Sequence, residues 1–253
     1  MLQGSSSQTE GLKSQAGNLI WVLSPKNLVW TLAKIILFFT ITGIASAYLK
    51  SANYPLPSSE WFADLFDLNN EFNLPAWYQA FALLFSAGLL AVIVHFKRQQ
   101  RDHFLPRWRF LAGLFFFFFI DEVFSIHEIL IIPAVREALN LPALFYHTWV
   151  IPGAILVGIF CIKYLKFFQH LPFQFKRLFL LAGSIYVGGA LITEMVNGVF
   201  GEIYGYTSLL NSLLTVVEEV LEKIGILVWI YALLKYIQGL TRTINIEVHI
   251  KGK

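Results

Sequence analysis

The 253-residue chain is 57% hydrophobic, 16% aromatic and only 14% charged, where a soluble domain carries about 25% charged residues. A chain of this length cannot hide so much apolar surface in one aqueous core, which excludes disorder, fibrous repeats and a nucleic-acid-binding domain. Its single cysteine, Cys161, excludes an intrachain disulfide, a multi-cysteine zinc site and a cysteine-held iron–sulfur cluster. The net charge of +3 is informative only through its distribution.

Residues 1–26 are polar and are expected to form a flexible tail. A membrane domain is expected over 27–240, and a second tail over 241–253. A helix needs about 20 apolar residues to cross a hydrocarbon core about 30 Å thick. The sequence predicts six such spans: 28–48, 77–96, 108–130, 141–165, 178–200 and 208–237. The apolar runs are too long for hairpin strands and do not alternate, so an all-α integral membrane bundle is the expected fold. Ala45–Ser46–Ala47 resembles a signal-peptidase site, but the polar lead and Lys34 fit a retained anchor better.

Between the first two spans, residues 58–68 read as an amphipathic surface helix capped by Ser58 or Ser59, with Trp61, Phe62, Leu65 and Phe66 on its apolar face. Phe115–Phe119 circle the third span and are expected to face lipid or neighbouring helices. Residues 244–250 alternate apolar and polar side chains, suggesting a short strand or a disordered tail.

Charge orients the spans. Fifteen of the nineteen basic residues fall in the two tails, in the loops after spans two and four, or at the span ends that border them, including Lys97, Arg98, Arg101, Arg107, Arg109, Lys163, Lys166, Lys176, Arg177 and Lys235. The positive-inside rule therefore puts both termini in the cytoplasm.

Thirteen of the sixteen acids lie instead in the outer loops or within spans. Span three carries Asp121, Glu122, Ser125, His127 and Glu128; span four His147; span five Glu194 and Asn197; span six Glu218, Glu219 and Glu222. A rise of 1.5 Å per residue places Asp121 about 18 Å, Glu222 about 20 Å and Glu194 about 25 Å from the basic boundary. The acids can therefore meet in one layer. Asp121, Ser125 and Glu128 share one helical stripe, as do Thr215, Glu218 and Glu222. Glu219 is spaced to pair with Lys223 as a structural ion pair. Gly188, Gly189 and Ala190 leave room for a neighbouring helix to approach.

A charged residue at a helix centre costs roughly 2.5–3.5 kcal/mol on insertion scales, so the acids need protons, a bound cation or water. Asp121, Glu122, Glu194, Glu218 and Glu222 are accordingly candidates for ion binding or proton relay. His127, Glu128 and His147 are candidate ligands for a divalent metal such as Zn²⁺, Mn²⁺ or Fe²⁺. The Glu-x-x-His, His-Glu-x-x-His, Gly-x-Ser-x-Gly and phosphate-loop patterns are absent.

Residues 121–130 align without a gap with 218–227, four of ten positions being identical. Because the two spans run in opposite directions, this suggests two inverted three-span halves. The DEVFSIHE run at 121–128, the Thr193–Glu194 pair and TVVEEVLEKIG at 215–225 together resemble a family of uncharacterised bacterial multi-pass membrane proteins. That resemblance covers roughly 109–237 and implies a bacterial inner or related internal membrane. It attaches no activity.

Three functions follow as expectations: a proton- or metal-coupled transporter, a membrane metalloenzyme acting on a lipid-soluble substrate, or a structural subunit of a membrane assembly. The expected partners are the lipid bilayer and a small ion or lipid-soluble substrate, with homo-oligomerisation left open.

Overall fold

The computed structural model describes residues 24–52 and 57–241. The expected tails, apart from residues 24–26 and 241, and the alternating 244–250 segment lie outside these residues. Among those described, the chain forms nine α-helices joined by short 3₁₀ and π segments, and no strand. They are α1 (Pro25–Ser51), α2 (Pro57–Phe66), α3 (Leu74–Gln99), α4 (Leu105–Phe124), α5 (Pro133–Ala138), α6 (Val150–His170), α7 (Phe173–Val187), α8 (Glu194–Tyr204) and α9 (Leu209–Leu240).

The long helices start where their sequences supply caps. Ser24 accepts from the Asn27 amide before Pro25, Asn73 from Ala76 before Pro75, and Ser208 from Asn211. Four stretches are long and apolar enough to cross a membrane: Pro25–Ser51, Leu74–Gln99, Val150–His170 and Phe173–Tyr204. Their outward faces carry exposed Leu37, Ile41, Phe81, Ile155 and Ile162.

The predicted third and sixth spans stand outside this set of four. Helix α4 carries Arg107, Arg109, Asp121 and Glu122 within 20 residues. Helix α9 carries Glu218, Glu219, Glu222 and Lys223 and is enclosed by α1, α3, α7 and α8.

Two predicted boundaries are corrected. Span three does not continue to residue 130. Ser125 adopts a left-handed conformation (φ 50°, ψ 43°), ending α4 at Phe124, and Ile126–Leu130 is a 3₁₀ turn. Span four does not begin at Leu141: turns and a 3₁₀ segment precede α6, so His147 lies before the helix. The aligned segments 121–130 and 218–227 consequently differ in backbone, one being broken and the other continuous helix. The local match suggesting inverted halves is not carried into the structure.

Helix α2 begins at Pro57 and docks on α1. The buried Ser46 hydroxyl donates to the Ala63 carbonyl at 2.7 Å, the Phe66 ring meets Phe38 at 5.7 Å, and Trp61 stays exposed. Ser46 of the predicted cleavage-like triplet is thus buried within a continuous α1.

The core runs along α9. Trp229 stacks on Phe115 at 5.0 Å, while Tyr236 meets Trp108 and Phe175, each at 5.0 Å. Phe115 is buried, whereas Phe116 and Phe117 of the same aromatic run face outward. At one end of the bundle Lys97 bonds Asp102 at 2.8 Å and lies over the Tyr236 ring, and Phe104 packs on Phe167 and His170. The C-termini of α3, α6 and α9 therefore meet the N-termini of α4 and α7 at this end. The helix ends that converge here hold Lys97, Arg98, Arg107, Lys176 and Arg177, and the α3–α4 connection holds Arg101.

Candidate functional site: an acid and imidazole cluster

The end of α4 builds the first part of the site. Once Ser125 turns the chain out of the helix, Asp121 accepts the His127 main-chain N–H at 2.8 Å on Oδ1 and lies 3.1 Å from His127 Nδ1 through Oδ2. A carboxylate held on one ring nitrogen fixes the imidazole and leaves the other nitrogen for a ligand. Glu71, from the α2–α3 connection, joins His127 and Glu128 so that one ligand atom of each lies within 4.8 Å of the others. Two carboxylates and an imidazole suit Zn²⁺, Mn²⁺ or Fe²⁺.

Electrostatics agree with this crowding. Burial, and then the Glu128 carboxylate, push the Glu71 pKa up to about 7. Burial lowers the His127 pKa, but the Asp121 hydrogen bond and charge outweigh it, and the net value is raised above the ordinary one.

The second part lies deeper. Glu122 is within electrostatic reach of Glu219, Lys223, Glu71 and His127, and Glu222 within reach of Glu219, Glu122, Lys223 and Asp121. Lys223 is 1% exposed and its ammonium contacts Glu219. One buried cation thus contacts Glu219 and is within electrostatic reach of two more carboxyl groups, Glu122 and Glu222. The half-buried Tyr186 faces the same acids and stacks on Phe118 at 6.1 Å. Glycines allow this approach: a Cβ at Gly225 would stand 2.7 Å from the Tyr186 nitrogen, and one at Gly189 3.1 Å from the Glu218 carbonyl. Gly188, by contrast, faces open space.

The third part sits at the start of α6. Thr148 accepts the Ile132 amide at 2.8 Å and donates to the Leu130 carbonyl, tying this start to the 3₁₀ turn. His147 contacts Glu194, and the Trp149 indole donates to the same Glu194 at 3.4 Å. The Trp149 ring meets His127 edge-on at 5.4 Å. Between α7 and α8, Gly188–Thr193 forms a π segment in which the Thr193 hydroxyl donates to the Gly189 carbonyl. Such single-turn π segments shift the face that follows them and occur often at functional sites.

Of the sequence-derived candidates, Asp121, His127 and Glu128 come together, as do Glu122, Glu219, Glu222 and Lys223. His147 does not join the His127–Glu128 pair, because it precedes α6 and meets Glu194 instead. Glu218 turns towards Asn197, whose amide nitrogen lies 3.5 Å from it. Sequence reasoning missed Glu71, Trp149 and Tyr186. Glu71 lies in a connection with no periodicity to place it, although Trp149 is two residues from a candidate and Tyr186 just precedes the glycine pair.

Residues 32–236 match a family described as a domain of unknown function, DUF8692. The chain belongs to that family. No curated protein and no solved structure matches it. The DUF8692 match begins within α1 and ends within α9, so every residue of the three clusters lies inside the family domain.

Proposed function

We propose that this DUF8692 member is a multi-pass membrane protein that binds protons or a divalent metal cation at its carboxylate–imidazole cluster and passes them across the bilayer. In this reading the chain crosses six times, α4 and α9 being the charged, protein-lined passes and both termini lying in the cytoplasm. The observation that carries it is a surplus of half-buried acid: Glu219 contacts the buried Lys223, and Glu122 and Glu222 are within electrostatic reach of the same cation. Low-dielectric surroundings do not tolerate uncompensated charge, so the surplus carboxyls must hold protons or a second cation. Loading and release at Glu122 and Glu222 then amount to exchange of that ion. The Glu71–His127–Glu128 group supports metal entry from the outer side, because it combines an imidazole with hard oxygen ligands next to Glu122.

Binding of Mn²⁺ or Zn²⁺ to the purified full chain, followed with the protons released, tests the reading. One metal per chain with proton release is expected; neither metal nor proton binding above that of Glu222→Gln would reject it. Cysteines placed singly in 97–109, in a Cys161→Ser background, should resist an impermeant thiol reagent added outside intact cells.

A second reading rests on a different feature. Glu122 also lines a shallow cleft with Phe72, Ala76, Trp77, Ala80 and Val123. A metalloenzyme acting on a lipid-soluble substrate would admit it through that apolar mouth, with a cluster carboxylate as general base.

A further inference from the structure

Helix α3 buries one stripe along its length. Gln79, Leu83, Ser86, Leu90, Ile93 and Lys97 follow alternating steps of four and three residues, and each is at most 9% exposed. The Lys97 ammonium lies 5.5 Å from the centre of the Tyr236 ring, so this stripe faces α9. The Ser86 hydroxyl donates to the Ala82 carbonyl at 2.9 Å. Gln79 is different: it is 1% exposed, and neither its Nε2 nor its Oε1 has a hydrogen-bond partner in the protein.

Register places that carboxamide close to the acids. Trp108 meets Tyr236 and Phe115 meets Trp229, one step of seven residues along each of two antiparallel helices. One more such step brings Glu122 level with Glu222. At 1.5 Å per residue this acid layer lies about 21 Å from Tyr236, and Gln79 lies about 27 Å from Lys97 at the same end. Leu74, where α3 begins just after Glu71, lies about 34 Å from Lys97. Gln79 therefore stands between the Glu71–His127–Glu128 group and the Glu122–Glu222 layer.

A buried carboxamide without partners is costly. It offers an acceptor and two donors side by side, and a carboxylate or a metal ion answers only half of that set. Water answers both halves, and a buried water takes about three polar partners. On the facing helix Lys223 is 1% exposed, and Glu219 takes one of the N–H groups of its ammonium. A divalent metal meets a cation and a neutral amide here, with no acid on α3.

We infer that Gln79 anchors a buried water through which protons, and not metal ions, pass from the outer acid–imidazole group to Glu122 and Glu222. This rests on the cation-handling reading above and names its ion. A proton delivered to the water is matched by another that leaves it for the Glu122 carboxylate, so water and amide end unchanged. Gln79 is thus a positioning residue, and metal held by Glu71, His127 and Glu128 stays outside.

The test uses the full chain in proteoliposomes with an internal pH dye and a Mn²⁺-quenched dye, alongside thermal unfolding and Mn²⁺ binding. Gln79→Met keeps the length and removes both hydrogen-bonding atoms. It should lower proton flux at least tenfold, leave Mn²⁺ binding unchanged and not raise the unfolding midpoint. Gln79→Glu keeps the shape and, when protonated, a donor and an acceptor, so its flux should stay within about threefold of wild type. Water-edited solid-state NMR of glutamine-labelled wild type should show transfer from water to the Gln79 side-chain nitrogen, assigned by its loss in Gln79→Glu. A dry, unpaired amide gives the opposite pattern: Gln79→Met then raises the midpoint and leaves flux unchanged, which overturns the inference. Absence of the water signal in the wild type overturns it whether or not Gln79→Met folds. Equal loss of flux in both variants, or Mn²⁺ flux without proton flux in the wild type, overturns it as well. If Mn²⁺ binding persists in these cases, only this inference fails; wild type that neither binds Mn²⁺ nor moves protons takes the broader reading with it.

Discussion

Asp121 holds His127 twice, accepting its main-chain N–H at 2.8 Å and lying 3.1 Å from its Nδ1. The same carboxylate therefore closes the end of α4 and fixes the imidazole that faces Glu71 and Glu128. Asp121→Asn keeps the shape but loses the charge. We expect metal binding to weaken by about 10–100-fold, the usual cost of losing such a partner, and unfolding stability to fall by about 1–2 kcal/mol. Titration of Mn²⁺ and chemical denaturation of the two proteins check both numbers.

Ser125 provides a complementary test of the helix end. Its φ of 50° lies in the left-handed region, where glycine is less strained. Ser125→Gly should leave stability unchanged or raise it by up to about 1 kcal/mol, whereas Ser125→Val should lower it. Denaturation midpoints of the pair decide this.

The pH dependence follows from Glu71 and His127. Burial raises the Glu71 pKa to about 7, so the folded chain favours its protonated form and stability is lost as pH rises above the unfolded value towards and through 7. For His127, whose folded value is also raised, the stabilising charge is fully present below its unfolded pKa and is lost as pH rises through the folded one. Both effects have the same sign. With chelator present, the unfolding midpoint should fall between pH 5 and 8, and Glu71→Gln should flatten the curve. Metal affinity should move oppositely, rising with pH as the ligands deprotonate.

The glycines on α7 and α9 separate close packing from mere flexibility. Gly225→Ala would drive its Cβ to 2.7 Å from the Tyr186 nitrogen and should cost about 1–3 kcal/mol by overpacking. Gly188→Ala meets no atom within 4 Å and should be neutral or slightly stabilising. Thermal unfolding of the two variants distinguishes them.

The all-helical fold was legible in the sequence because length and hydropathy both act over tens of residues. Leu74–Gln99 and Phe173–Tyr204 lie close to the apolar runs that predicted them, and Glu219 and Lys223 meet at the spacing that one helical turn requires. Boundaries set by single backbone angles were not legible. Nothing in DEVFSIHE announces that Ser125 will leave the helix, so the stripe drawn through Asp121, Ser125 and Glu128 does not exist. The π segment uses residues equally at home in an α-helix. Glu71 reaches the site only through the fold of its connection, and His147 leaves the expected metal group because α6 starts at Val150.

The central claim concerns Glu222, which shares the acid surplus around Lys223 without being the lysine's contact; Glu219 is that contact. The most direct measurement is cation flux into proteoliposomes carrying an internal pH dye and a Mn²⁺-quenched dye. An imposed gradient should drive saturable movement of protons or Mn²⁺ through the wild type. Glu222→Gln should abolish flux with an unchanged unfolding midpoint, while Glu219→Gln should keep flux but lose up to about 3 kcal/mol of stability through its uncompensated lysine. Equal flux in the wild type and Glu222→Gln, or no flux of either ion through folded wild-type protein, would contradict the account.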